Sequence, residues 1–138
     1  MNVYKYLGIY FTTRLSFVSA CRDLASRAKN ALVCVLQKLY LLNNNSVEVF
    51  LKLFDAQVQS ITQYGSELWR LDKAAIHIEK VHLYTLKRCL GVDMKTPNDL
   101  VYGETDRFPI TLNSAVRCIR YWLKLTCLCE DRSIYDVI

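Results

Sequence analysis

The chain has 138 residues, a formal net charge of +5 and a hydrophobic content of 52%, with only 4 Gly and 2 Pro. This length suits one domain with its own core, and the composition excludes long disordered, collagen-like or linker segments. The charge is uneven, because residues 1–42 hold six basic and one acidic side chain, whereas residues 43–138 hold twelve of each. Such an excess can be the footprint of a polyanionic partner, although it also arises in proteins that bind no acidic ligand.

The first predicted element is a strand over residues 3–11, where the side chains alternate between two faces and are rich in aromatic and β-branched types. Gly8 within it indicates a bulge or the close approach of another backbone. We expect its partner strand to be missing or very short. Tyr4, Tyr6 and Tyr10 share one face of this strand. There they can stack on sugars or bases, or equally pack in a core.

A long amphipathic helix should follow over residues 17–42, with Ser16 as its N-cap. Its apolar residues recur every three or four positions and form one stripe that we expect to be buried. The stripe comprises Phe17, Cys21, Leu24, Ala28, Ala31, Val35 and Leu39. Basic residues flank the stripe on both sides. Arg22 and Lys29 lie on one flank, and Arg27 and Lys38 lie on the other.

Three shorter helices are predicted next, each ending at a glycine that suits a left-handed exit. They cover about residues 47–64, 73–90 and 97–102, and the closing glycines are Gly65, Gly91 and Gly103. The first of them should form a helical hairpin with the long helix, because a short polar turn connects the two. Residues 104–108 are predicted to be a charged loop.

The last predicted helix spans about residues 110–129 and begins after Pro109. Its apolar stripe is expected to be buried and consists of Leu112, Val116, Ile119 and Leu123. The opposite flank is basic and holds Arg117, Arg120 and Lys124. The fold class predicted for the chain is therefore mainly α, with about five helices and a short N-terminal β-strand.

Signals for catalysis or metal binding are weak. The sequence has no suitably placed carboxylate pair, CxxC pair, phosphate-binding glycine loop or nucleophile motif. His77 and His82 are five residues apart, which separates them by about 140° around a helix, whereas zinc-binding histidines share one face. We expect no enzyme activity, no catalytic residue, no metal site, no cofactor and no small-molecule substrate.

The cysteines and the apolar runs of the sequence predict the cellular compartment of the chain. The six cysteines lack the spacing of a disulfide scaffold, so most should be small core residues in a reducing compartment. No apolar run approaches the roughly 20 residues needed to cross a bilayer, and the N-terminus lacks the pattern of a signal peptide. We therefore expect an intracellular chain, nuclear or cytoplasmic, with no membrane partner.

Several stretches, taken together in this order, resemble the C-terminal part of the reverse transcriptase of animal non-LTR (LINE-type) retrotransposons. They are Tyr4-Lys-Tyr-Leu-Gly-Ile9, Leu53-Phe-Asp-x-x-Val58, Gln63-Tyr-Gly-Ser-Glu-Leu-Trp69, Ile78-Glu-Lys-Val-His-Leu83, Leu86-Lys-Arg-Cys-Leu-Gly-Val92, Asn98-Asp-Leu-Val-Tyr-Gly-Glu104 and Arg120-Tyr-Trp-Leu-Lys124. The resemblance covers nearly the whole chain, and its specificity comes from the order and spacing of the pieces.

The resemblance implies that residues 1–15 are a remnant of the polymerase palm, with Tyr6, Leu7 and Gly8 at the primer-grip position. It implies that residues 16–138 form the thumb and the region beyond it. In that family the fingers, the catalytic palm aspartates and the endonuclease lie upstream of the matched region. The expected molecule is thus a fragment that binds an RNA–DNA hybrid or duplex without polymerising, and whose missing partner is a palm and fingers domain.

The residues predicted to contact phosphates lie on the two long helices, where a cation every turn or so can neutralise phosphates independently of base sequence. They are Arg22, Lys29 and Lys38, with Arg117, Arg120 and Lys124 as a second set. Two alternatives remain open. The basic faces can be ordinary solvated surface, or the chain can be a helical protein-interaction module or an inert remnant whose apolar surface and lone strand require a partner.

Overall fold

The structure is a computed structural model that describes residues 3–43, 46–70 and 72–131, without the side chains of residues 128–131. The described residues are mainly helical, and a two-stranded antiparallel sheet lies at their N-terminal end. The predicted fold class, mainly α with a short N-terminal β element, is confirmed. No helix in the described ranges is both long enough and apolar enough to cross a membrane.

The N-terminal segment is a β-hairpin of two short strands, so the prediction of one continuous strand over residues 3–11 is wrong. Strand β1 (Val3–Tyr6) pairs antiparallel with β2 (Ile9–Thr12). Leu7 and Gly8 connect the strands with φ values of 46° and 82°, and positive φ at both positions is the conformation of a type I′ turn. Leu7 is an unusual residue in such a turn, which is why no turn was predicted at this point.

Helix α1 (Val18–Leu41) confirms the long amphipathic helix. Most of its predicted stripe is buried in two apolar clusters that meet along it. Its N-terminal capping differs from the prediction, because Phe17 and not Ser16 occupies the N-cap position. The Phe17 N–H donates to the Asp72 carboxylate at 2.7 Å, so the cap comes from a residue 55 positions away in sequence.

A second helical stretch packs antiparallel to α1 and confirms the predicted hairpin. It consists of α2 (Val47–Leu53), a π-helical segment (Phe54–Gln59) and α3 (Ser60–Thr62), which run without interruption. Gly65 then takes the predicted left-handed conformation, with φ of 62°, and leads into the short helix α4 (Ser66–Trp69). The π-helical segment was not predicted.

The third predicted helix is a 3₁₀ turn (Lys73–Ala75) followed by α5 (Ile76–Leu90). The next helix, α6 (Asn98–Thr105), runs through Gly103, so the prediction that this glycine ends the helix is wrong. Asp106 provides the left-handed exit instead, with φ of 50°. Aspartate tolerates this conformation better than most residues, which lets the helix extend by almost one turn.

Helix α7 (Ile110–Asp131) ends the described chain and packs on α4 and α5 through its first turns. Ile110 and Ser114 are buried there. The predicted stripe of Leu112, Val116, Ile119 and Leu123 is 43–59% exposed, so the prediction that it is buried is wrong. Helical periodicity identifies an apolar face, but whether another element covers that face depends on the tertiary arrangement.

The apolar core lies on both sides of α1. One cluster joins the middle and end of α1 to the π-helical segment and α5, with Phe54 and Val81 among its members. The other joins the start of α1 to Trp69 and Ile110.

The cysteines are less buried than predicted. Cys21 is fully buried, and its burial raises the pKa of the thiol to about 12. Cys34 and Cys127 are exposed. The expectation that most cysteines fill the core is therefore wrong for the described side chains.

Candidate nucleic-acid interface

A groove runs between α1 and α5 and encloses about 640 Å³. It extends from Arg22 to Leu36 along α1, which is about 21 Å at the rise of an α-helix. Its floor is the outer layer of the core, where Ala25, Leu32 and Val81 are buried. The rim therefore carries the side chains that a ligand would meet first.

One end of the groove is cationic. Arg22 and Lys29 are seven residues apart on α1, so their side chains leave the helix within about 20° of each other. His77 and Lys80 line the groove from α5, on the opposite wall. No carboxylate from the described residues lines this groove.

The groove cations have no ion-pair partner among the described residues. The three ion pairs found there lie elsewhere and join Arg27 to Asp23, Lys52 to Glu48 and Arg107 to Asp55. Arg22, Lys29 and Lys80 are exposed, and their charges are available to a ligand. A concave cationic surface without carboxylates attracts polyanions, because the positive potentials of its side chains add.

The other end of the groove is apolar and aromatic. Val33 is 52% exposed and Tyr84 is 43% exposed. Leu36 also lines the groove and is half-buried. Tyr84 follows His77 by seven residues, so both project from the same side of α5. The groove thus offers the positive charge of Lys80 and the aromatic face of Tyr84 about 6 Å apart along one helix.

Asp72 links the starts of the two helices, α1 and α5, that form the walls of the groove. Its carboxylate accepts the Phe17 N–H at 2.7 Å, before α1, and the Ala74 N–H at 3.0 Å, in the turn that leads into α5. The hydrogen bonds from Ala74 and Phe17 hold the pKa of Asp72 below its ordinary value. One side chain therefore caps both helical segments and sets the positions of their first turns.

The structure brings together only part of the predicted phosphate-binding set. Arg22 and Lys29 share the groove, whereas Lys38 lies about 160° from Arg22 around α1 and does not line it. The second set lies on a different helix, and comprises Arg117, Arg120 and Lys124 on the exposed part of α7. The Glu79 carboxylate accepts hydrogen bonds from the first turn of α7, and Glu79 lies about 140° from Tyr84 around α5. The two sets therefore occupy different sides of the molecule.

Three groove residues were not predicted to contact nucleic acid, namely His77, Lys80 and Tyr84. Their spacing of three and four residues places them on one face of α5, which the sequence could have shown. That this face lies beside Arg22 and Lys29 depends on the packing of α5 against α1, and the sequence pattern does not specify that packing.

The residues that the resemblance places at the primer grip form the turn of the hairpin. The Tyr64 hydroxyl donates to the Leu7 carbonyl at 2.6 Å, and the Arg27 guanidinium donates to the Gly8 carbonyl at 3.3 Å. These bonds hold the turn against α1 and against the segment that follows α3. The side chain of Tyr6 is exposed beside it.

A polar cluster lies on the side of α5 away from the groove. The Glu79 carboxylate accepts hydrogen bonds from the Tyr102 hydroxyl and from the first N–H groups of α7, Ile110 at 3.3 Å and Thr111 at 3.1 Å. Burial, reinforced by Glu79, raises the pKa of Tyr102 far above its ordinary value. Because every one of these bonds joins α5 to α6 or α7, the cluster anchors the last helix.

His82 lies beside this cluster and is almost fully buried between the Phe54 and Tyr102 rings, whose centroids are 5.5 and 6.2 Å from its own. Neither ring nitrogen has a partner in hydrogen-bonding geometry among the described residues. Burial lowers the pKa of His82, and the nearby Glu79 charge and Phe108 backbone oppose that shift. The described residues also hold no group of His, Cys, Asp or Glu side chains arranged to bind a metal ion.

Comparisons with protein-family models, curated proteins and solved structures found no match to this chain. The resemblance to non-LTR reverse transcriptases therefore stays an expectation that depends on the residues quoted above.

Proposed function

We propose that the protein binds nucleic acid through the groove between α1 and α5, as a thumb-like fragment derived from a retrotransposon reverse transcriptase and without polymerase activity of its own. The observation that carries this proposal is the cluster of Arg22, Lys29 and Lys80 around one groove, where no described carboxylate neutralises them. Lysine and arginine side chains that contact phosphates give affinity independent of base sequence, because counterions are released on binding.

The proposal is tested by the affinity of the protein for an RNA–DNA hybrid at about 50 mM salt, measured by fluorescence anisotropy. The double variant Arg22→Ala/Lys29→Ala should bind the hybrid at least tenfold more weakly than the unaltered chain. The matched control is Lys73→Ala/Lys95→Ala, which removes the same charge from exposed lysines that do not line the groove. Equal losses in both double variants, or failure of the unaltered chain to bind either the hybrid or a single strand, would contradict the proposal.

The absence of polymerase activity is part of the same proposal and needs a separate assay. Incorporation of nucleotides on a homopolymer template with an annealed primer should stay at background. Template-dependent incorporation by the purified chain would show that it carries a catalytic site of its own.

A second candidate function is a helical protein-interaction module, and the exposure of α7 favours it. Seven large apolar side chains from residue 112 to residue 125 are each 42–65% exposed. An apolar array of this kind on one helix is typical of an interaction surface. Light scattering that shows concentration-dependent association, abolished by Ile119→Glu and unaffected by added nucleic acid, would favour this candidate.

A further inference from the structure

We propose that the groove binds an unpaired strand, with phosphates at its cationic end and one base stacked on Tyr84. This inference rests on the proposed nucleic-acid binding and adds the substrate class, a single strand and not a continuous duplex. Its basis is the juxtaposition in one groove of Arg22, Lys29 and Lys80 with an accessible aromatic ring.

The width of the groove favours a single strand. Packed helices lie with their axes about 8–10 Å apart, and α1 packs directly on α5. A double helix, whose major groove alone is about 12 Å wide, cannot enter the space between two such helices and can only lie across their outer surface. An unpaired base and its sugar are small enough to enter the groove of about 640 Å³ that lies above the buried Leu32 and Val81.

The chemistry of the lining also favours an exposed base. Phosphates are satisfied by cations alone, so a site that only follows a duplex backbone gains nothing from Val33, Leu36 and the Tyr84 ring. A base that leaves its stack exposes an apolar face, and aromatic side chains bind that face whatever the base. These three side chains supply such a contact beside the cations.

The spacing within the groove matches a few nucleotides. His77 and Tyr84 are seven residues apart, which is about 10 Å along α5. Successive nucleotides of an unstacked strand are at least as far apart as the 3.4 Å rise of one duplex strand, so at most about three internucleotide steps cover that distance. The phosphates of these nucleotides can contact Lys80 and the α1 cations while the terminal base reaches Tyr84.

The test compares a single strand of about 12 nucleotides with a duplex of the same sequence, both labelled and measured by anisotropy at about 50 mM salt. The single strand should bind more tightly than the duplex. Tyr84→Leu should weaken single-strand binding about tenfold and leave duplex binding within twofold, whereas Tyr84→Phe, which keeps the ring, should match the unaltered chain. The control Tyr40→Leu removes a tyrosine that is 85% exposed on α1 outside the groove and should change neither affinity.

Stacking is measured separately with 2-aminopurine in the strand, whose fluorescence should fall on binding to the unaltered chain and to Tyr84→Phe but not to Tyr84→Leu. Duplex binding equal to or tighter than single-strand binding, or equal losses for both ligands in Tyr84→Leu, would overturn this inference while the proposed function stands. Failure of the unaltered chain to bind either ligand would instead contradict the proposed function itself. Circular dichroism of each variant confirms that the substitution leaves the helical fold intact.

Discussion

At the scale of single residues, Gly65 is the position where the backbone has least freedom to accept a side chain. Its φ of 62° lies in the left-handed region, and a Cβ there would sit 2.3 Å from Ile9 Cδ1. Gly65→Ala should therefore lower the free energy of unfolding by about 1–2 kcal/mol for the backbone conformation and by a further amount for the contact with the hairpin. Urea unfolding followed by circular dichroism measures the change.

Gly91 provides the matched control for this substitution. Its φ of 66° is nearly the same, but nothing lies within 4 Å of a Cβ at that position. Gly91→Ala should therefore lose only the backbone contribution, and Ile9→Val should reduce the excess cost of Gly65→Ala. Equal losses at the two glycines would mean that the hairpin does not pack on Gly65.

His82 makes stability depend on pH. Burial holds its pKa below the ordinary value of 6.5, so between these two values the unfolded chain binds a proton that the folded chain does not. The free energy of unfolding should therefore fall as the pH drops from 6.5 towards about 5. Urea titrations at several pH values should show this fall in the unaltered chain and in His77→Gln, and a smaller fall in His82→Phe.

If the free energy of unfolding changed with pH at the same slope in all three proteins, this assignment would be contradicted, because a group other than His82 would then cause the pH dependence. The substitution His82→Phe also keeps an aromatic ring between Phe54 and Tyr102. A change in slope can therefore be assigned to the proton and not to lost packing.

At the scale of elements, the caps of α1 and of the turn before α5 both depend on Asp72. Asp72→Ala should lower the free energy of unfolding by about 1–2 kcal/mol at neutral pH, since both backbone N–H groups lose their acceptor. Asp72→Asn, which keeps one oxygen, should lose less. Thermal or urea unfolding measures both, and Asp99→Ala, an exposed aspartate in the first turn of α6, should change stability by about 0.5 kcal/mol or less.

The pH dependence of this cap lies at lower pH than that of His82. Because the folded pKa of Asp72 is lowered, its contribution is complete above the ordinary value of 3.8 and is lost as the pH falls through the lower folded value. The stability difference between the unaltered chain and Asp72→Ala should therefore shrink below about pH 4. A difference that stays constant down to pH 3 would show that the charged carboxylate does not act as this cap.

Two helices show what sequence periodicity can and cannot predict at this scale. The stripe of α1 was predicted correctly, because neighbouring elements cover it on both sides. The stripe of α7 has the same periodicity and is exposed, since only Ile110, Ser114 and nearby residues meet the body of the fold. The hairpin turn at Leu7 was missed for a different reason, namely that its conformation is imposed by bonds from Tyr64 and Arg27, which are distant in sequence.

At the scale of the whole molecule, basic residues from the N-terminal third of the chain share a groove with a basic residue of α5. Arg22 and Lys29 were identified from the sequence, and the packing of α5 adds Lys80 and Tyr84. Lys38 and Arg27 belong to the same charge excess but lie on the other flank, where Arg27 is paired with Asp23 at 2.6 Å. The uneven charge therefore leads only to the expectation of an anionic partner, while the tertiary arrangement determines which cations can act together.

The central claim is that groove cations contact phosphates, and the salt dependence of binding tests it most directly. The logarithm of the association constant for an RNA–DNA hybrid, plotted against the logarithm of salt concentration, should fall with a slope of about 0.7 to 0.9 per phosphate contact. Arg22→Ala/Lys29→Ala should reduce the magnitude of that slope by about 1.4 to 1.8, and Lys73→Ala/Lys95→Ala should leave it unchanged. A slope that is the same in all three proteins would show that the groove does not bind phosphates.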